Sequence, residues 1–123
     1  MFIDLNKFKL INDTLGHEAG DFLLKEAANR FKNAIRTDDI VFRLGGDEFL
    51  ILITNVMNNS QVKEVITKIF ESIKTPVNYN GKPIDISASI GIAMFPKNGE
   101  TPEELMKAAD AAMYAGNHSV PLF

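Results

Sequence analysis

The stretch Ile40-Val41-Phe42-Arg43-Leu44-Gly45-Gly46-Asp47-Glu48-Phe49-Leu50-Ile51-Leu52-Ile53 decides how the chain is read. Two runs rich in β-branched and aromatic residues, Ile40 to Leu44 and Glu48 to Ile53, flank Gly45-Gly46-Asp47, which is a hairpin pattern. The second run is apolar nearly throughout, so both strands are expected at the centre of a sheet. Gly45 and Gly46 offer no side chains to block an approaching ligand, and Asp47 and Glu48 stand on the same turn.

Upstream, Met1-Phe2-Ile3 is a short apolar run ending at Asp4, a strand that begins without any lead-in, so a preceding segment is expected to be missing. From Phe22 to Ile35 the residues Phe22, Leu23, Ala27, Phe31, Ala34 and Ile35 recur at spacings of three and four, which predicts an amphipathic helix. Downstream, Ser60 is placed as an N-cap before a helix with Val62, Val65, Ile66, Ile69, Phe70 and Ile73 on one stripe. After Pro76 a second hairpin turns at Asn80-Gly81. The strand beyond it alternates, with Ile84, Ile86, Ala88, Ile90 and Ile92 on one face and Asp85, Ser87 and Ser89 on the other. Thr101-Pro102-Glu103-Glu104 combines an N-cap, a proline at the first helical position and a capping-box Glu, opening a last helix with Leu105, Ala108, Ala109, Ala112 and Met113 inward. The order is strand, helix, hairpin, helix, hairpin, helix. It predicts one α+β domain over 1–123, an antiparallel-rich central sheet with helices packed on it.

The chain has 123 residues, 46% hydrophobic and 24% charged, enough for one core without staples. A net charge of −3 argues against a broad basic footprint for duplex nucleic acid. There is no Cys, which excludes disulfides, thiolate nucleophiles and Cys-built zinc sites, and His17 and His118 are too few for a His-built metal centre. No apolar run approaches the roughly 20 residues of a membrane helix, and no signal-peptide pattern opens the chain, so the domain is expected in the cytoplasm without membrane contact. The glycine signatures of dinucleotide binding and P-loops, the H-E-x-x-H of zinc proteases and the G-x-S-x-G of serine hydrolases do not occur.

What remains is carboxylates. If the first strand pairs beside the hairpin, Asp4, Asp47 and Glu48 converge, and acids at a sheet edge suit Mg²⁺ with waters and phosphates completing its shell. On its own, Gly45-Gly46-Asp47-Glu48 is equally a polar tight turn.

Arg43-Leu44-Gly45-Gly46-Asp47-Glu48-Phe49, together with Asp4-Leu5-Asn6-Lys7-Phe8-Lys9-Leu10-Ile11-Asn12-Asp13-Thr14-Leu15-Gly16-His17-Glu18-Ala19-Gly20-Asp21, resembles the GGDEF family of diguanylate cyclases. The resemblance continues through Ser89-Ile90-Gly91-Ile92-Ala93 and Ala109-Asp110-Ala111-Ala112-Met113-Tyr114. It implies a palm-like nucleotidyl cyclase architecture. It makes Asp4, the carbonyl of Leu5 and Asp47 the ligands of Mg²⁺, with Mn²⁺ as a substitute, and has Glu48 complete the metal site or help activate the attacking 3′-hydroxyl. Lys9 would meet phosphate, Asn12 and Asp21 would read guanine, and Gly45 and Gly46 would lie against the nucleotide. A carboxylate accepting from guanine N1 and N2 and an amide answering its acceptors suit that task. Arg36-Thr37-Asp38-Asp39 has the R-x-x-D spacing of the family's product-inhibition site, with Lys68 as a further basic residue.

Three departures stand out. The D-x-L-T-G-L-x-N-R segment that usually precedes this strand is absent, Asn6 replaces a frequent Asp, and Met113-Tyr114-Ala115-Gly116-Asn117-His118 lacks the Lys and Arg that usually follow. The resemblance implies two GTP condensing to cyclic di-GMP across a homodimer, with sensor or phosphodiesterase domains elsewhere in the full protein and cyclic di-GMP as inhibitor. The alternative is a catalytically inactive module that binds GTP or cyclic di-GMP and regulates an attached domain.

Overall fold

The computed structural model describes residues 1–115. Its elements run β1 (Phe2–Leu5), α1 (Phe8–Leu15), α2 (His17–Ala34), β2 (Ile40–Gly45), β3 (Glu48–Leu52), α3 (Asn59–Ser72), β4 (Val77–Tyr79), β5 (Lys82–Ile84), β6 (Ala88–Gly91) and α4 (Pro102–Ala115). The central sheet has the order β2-β3-β1-β6 with every pair antiparallel, and β4 and β5 form a separate small ribbon. The expected α+β class with an antiparallel sheet is the observed one.

Helices cover the sheet from both sides. Ile3, Leu5, Phe49, Ile51 and Ile90 meet Leu24, Ala27 and Phe31 of α2 and Val65 and Ile69 of α3 in the main core. Phe31 and Phe49 touch edge to face with ring centroids 5.4 Å apart, a favoured aromatic geometry. On the opposite face Phe2 packs with Ala109 and Met113 of α4. That contact requires Gly91 on β6, where an added Cβ would lie 1.9 Å from the Ala109 carbonyl oxygen and 2.5 Å from the Met113 nitrogen. Only a residue without a side chain lets the helix backbone lie on the strand.

Four sequence expectations are corrected. β3 is central but β2 is the edge strand, and its Ile40, Phe42 and Leu44 are 46%, 44% and 43% exposed because α4 covers only the β1–β6 half of that face. The alternating run from Ile84 to Ile92 is not one strand. It breaks after Ile84 and resumes at Ala88, moving from the β4–β5 ribbon to the central sheet, with Ile86 packed against both clusters at the crossing. The helix expected from Phe22 begins at His17 and is preceded by α1, whose Phe8, Ile11 and Leu15 pack with Leu23, Val77 and Ile84. The cap of α3 is Asn58, whose side chain accepts from Gln61 N–H at 3.0 Å, and Ser60 lies inside the helix. The N-cap half of the α4 capping box forms, with Glu104 N–H donating to Thr101 Oγ1 at 3.2 Å, while the Glu104 carboxylate accepts from the Thr101 hydroxyl at 3.1 Å and from Glu100 N–H at 3.4 Å in place of the Thr101 N–H. The tight turn at Asn80 and Gly81 also forms, with both residues at positive φ.

Candidate active site

The sheet order brings the first strand beside the hairpin. Asp4 pairs with Glu48 across β1 and β3, and one step on, Leu5 N–H donates to the Asp47 carbonyl at 3.1 Å. The turn is shaped by Gly45 at φ 144° and Gly46 at φ 52°, values that L side chains avoid. A Cβ at either glycine would meet nothing within 4 Å, so the space above the turn is open. Arg43 braces it from below, its Nε and Nη2 donating to the Gly46 carbonyl at 3.1 and 2.9 Å.

Asp4 Oδ1 is shut away from solvent with no hydrogen-bond partner, an unusual state for a buried carboxylate oxygen. Burial, the charge and close side-chain approach of Asp47, and the charges of Glu48 and Asp110 together push the Asp4 carboxyl up from 3.8 to about 6. Two adjoining carboxylates, one with an orphaned oxygen, are reconciled by a shared proton or by a divalent cation. Among the described residues no three His, Cys, Asp or Glu side chains stand close enough to hold an ion by themselves. Glu48 therefore acts on Asp4 through its charge without closing a three-acid cluster. This donor set fits Mg²⁺, which is bound by one or two carboxylates and takes its remaining oxygens from waters and phosphates.

Lys9 and Asn12 lie on α1 and Asp21 on α2, joined through Gly16. Lys9 and Asp21 are exposed and Asn12 is half-buried. The Asn12 amide makes no hydrogen bond within the described residues. Asn6 is tied down at the exit of β1. Its Nδ2 donates to Ser87 Oγ at 2.9 Å, its Oδ1 accepts from the buried Ser89 hydroxyl at 2.7 Å, and its N–H donates to the Ser87 carbonyl at 2.7 Å. An amide can donate and accept in this way where an ionised carboxylate could only accept. Sequence reasoning missed this clamp because Ser87 and Ser89 lie more than 80 positions away.

The R-x-x-D pair closes on itself. Arg36 Nε and Nη2 donate to the two Asp39 carboxylate oxygens at 3.0 and 3.1 Å, and the N–H groups of Arg36 and Thr54 add bonds of 3.1 and 3.0 Å. Arg36 also donates to the Thr54 carbonyl. Burial would raise the Asp39 carboxyl, but these donors hold it below its ordinary range. Asp39 thus fastens the α2–β2 turn to the end of β3. Lys68 on α3 and Arg36 line one surface depression together with Arg30 and Glu71, so the structure brings the two expected basic residues to one place. Arg30, not anticipated from the sequence, is held by Glu26 at 3.1 Å and by the carbonyls of Ser72, Thr75 and Pro76. Gly116, Asn117 and His118, where basic residues were expected, lie outside the described residues. Among the described residues no helix is long and apolar enough to cross a membrane.

A family model described as diguanylate cyclase, GGDEF domain, matches residues 1–119. The chain belongs to the GGDEF family. This GGDEF domain is 45% identical over 93% of its length to the signaling protein YkoW of Bacillus subtilis and covers 14% of that protein. It is 44% identical over 93% of its length to MucR of Pseudomonas aeruginosa, a bifunctional diguanylate cyclase/cyclic di-GMP phosphodiesterase, and covers 16% of it. It is 40% identical over 93% of its length to the diguanylate cyclase TpbB of Pseudomonas aeruginosa, covering 26% of it. The crystal structure of the TpbB GGDEF domain superposes with a TM-score of 0.92 at 37% identity, covering 98% of this chain and 77% of that one. The GGDEF domain thus spans about a quarter or less of the curated relatives it matches.

Proposed function

We propose that this GGDEF domain condenses two GTP molecules into cyclic di-GMP and releases two pyrophosphates. The observation that carries the reading is the orphaned Asp4 Oδ1 beside Asp47, at the foot of an open Gly45-Gly46 turn. A bound Mg²⁺ would neutralise phosphate charge and polarise the α-phosphate, and Asp4, Asp47 and the Leu5 carbonyl would hold it. Gly45 and Gly46 let triphosphate approach the backbone, and Lys9, exposed on α1, supplies positive charge toward it. Asn12 and Asp21, whose amide and carboxylate make no hydrogen bond among the described residues, read the guanine edge. Glu48, across the strands from Asp4, adds its negative charge to complete the metal site or receives the proton of the 3′-hydroxyl.

One domain holds one GTP in this reading, so two copies face each other and each 3′-oxygen attacks the partner nucleotide's α-phosphorus. In each half a new O–P bond forms as the bond to pyrophosphate breaks. Arg36 and Lys68 bind the cyclic product at a separate depression and restrain turnover, with Asp39 orienting Arg36. Sensor or phosphodiesterase domains elsewhere in the full protein would set the dimer and the input. The incomplete acid cluster favours one second reading, a module that binds GTP or cyclic di-GMP without turnover.

The test is incubation of the purified chain at high concentration with GTP and Mg²⁺, with mass-spectrometric detection of cyclic di-GMP and Glu48→Gln as the blank. Product that vanishes in the blank is expected. Nucleotide binding without product would reject the cyclase reading for this chain in favour of the module.

A further inference from the structure

We infer that Gly20 is a positioning residue for nucleotide discrimination, because it is the gap in α2 that sets where the Asn12 amide stands. A Cβ built on Gly20 would lie 1.8 Å from Asn12 Oδ1, 2.8 Å from Asn12 Cγ and 3.2 Å from Phe8 Cζ. The Asn12 side chain therefore lies directly on the α2 backbone, where any other residue would displace it. Gly20 is buried in an early turn of an 18-residue helix, where glycine is a poor helix former compared with alanine. The intrinsic helix preference thus argues against glycine here, and the contact with Asn12 supplies the reason for it.

Asn12 forms no hydrogen bond to the described residues, so packing alone orients its half-buried amide. The neighbour of Gly20 in the chain is Asp21, whose exposed carboxylate is likewise unbonded. The gap seats an amide, with a donor and an acceptor, on the helix turn whose next residue carries an acceptor-only carboxylate. Such a pair favours a base edge that offers both acceptors and donors, as guanine does with O6, N1 and N2. It disfavours adenine, whose N1 is an acceptor against the acceptor-only carboxylate and which has no 2-amino donor. This inference rests on the proposed reading of Asn12 and Asp21 as the guanine contacts and adds what positions one of them.

The experiment is equilibrium binding of GTP and of ATP, with Mg²⁺, to the full chain as wild type, Asn12→Ala, Gly20→Ala and the double variant. Gly20→Ala is expected to lower GTP affinity roughly tenfold, as one misplaced hydrogen bond would. ATP affinity is expected to stay unchanged, and the substitution is expected to add nothing once Asn12 is alanine. If Asn12→Ala keeps the wild-type preference for GTP, the guanine reading fails and this inference fails with it. If Asn12→Ala lowers that preference while Gly20→Ala does not, or if the two effects add, this inference alone is overturned. A measurement on the wild type covers the case in which Gly20→Ala does not fold. The Asn12 side-chain amide should already be rigid in nucleotide-free protein by NMR relaxation, and an amide averaging over rotamers overturns the inference.

Discussion

Leu5 donates its backbone N–H to the Asp47 carbonyl at 3.1 Å, one position beyond the Asp4–Glu48 pair. The strand end that carries Asp4 and the turn that carries Asp47 are thereby joined through the backbone. Holding two acids together costs stability once both are ionised.

Asp4 has its carboxyl raised from 3.8 to about 6 in the fold, so the folded state holds the proton more tightly than the unfolded chain. Its contribution to stability is most favourable below pH 4 and is lost as pH rises through about 6. In metal-free buffer at pH 8, Asp4→Asn should therefore melt above wild type, and the gap should close near pH 4. Mg²⁺ should raise the melting temperature of wild type and not of the variant. Thermal melts with and without Mg²⁺ at the two pH values check this, and a variant that melts lower at pH 8 would count against it.

Asp39 has the opposite slope. Its lowered carboxyl stabilises the fold above its ordinary range near 3.8, and that stabilisation is lost as pH falls through the still lower folded value. Asp39→Asn places an amide N–H₂ among donors that already converge on the carboxylate, and leaves some of them unanswered. The variant should melt below wild type at pH 7, with the difference shrinking in acid below about pH 4. Equal melting temperatures at neutral pH would show that this turn does not fasten β3.

Arg36→Ala should relieve inhibition by cyclic di-GMP while leaving uninhibited turnover near the wild-type rate. The comparison is of initial rates over a titration of added product. An unchanged inhibition curve would remove Arg36 from the product site.

Gly91→Ala should destabilise the domain by about 2 to 3 kcal/mol, the scale of overpacking where neighbours cannot yield. The colliding atoms are backbone, Ala109 O and Met113 N, so α4 must lift from β6 for the methyl group to fit. Urea unfolding with an unchanged slope and a lowered midpoint is expected. A midpoint equal to wild type would falsify the close docking of α4 on β6.

Where the determinants are local, the chain is legible. The Asn80-Gly81 turn, the Thr101 N-cap of α4 and the apolar stripes of α3 and α4 are decided by residues a few positions apart, and all of them form. The hairpin bearing Asp47 and Glu48 is legible for the same reason. Helix α1 was also within reach, since Phe8, Ile11 and Leu15 have helical spacing, but the run is short and polar residues interrupt it.

Other features depend on residues far apart in the chain. Alternation from Ile84 to Ile92 says which side chains share a face, but nothing in it says that the partner strand changes at Asp85. The apolar β2 became the edge strand because β1, not β2, fills the place between β3 and β6. The sequence by itself determined the hairpin, the three longer helices and the acids at the turn, because propensity, capping and periodicity act over neighbouring residues. Only the tertiary structure decided that Asp4 meets Asp47, that Asn6 is clamped by Ser87 and Ser89, and that Gly20 makes room for Asn12. Each of those contacts depends on how separate elements dock, which is set by burial summed over the whole core.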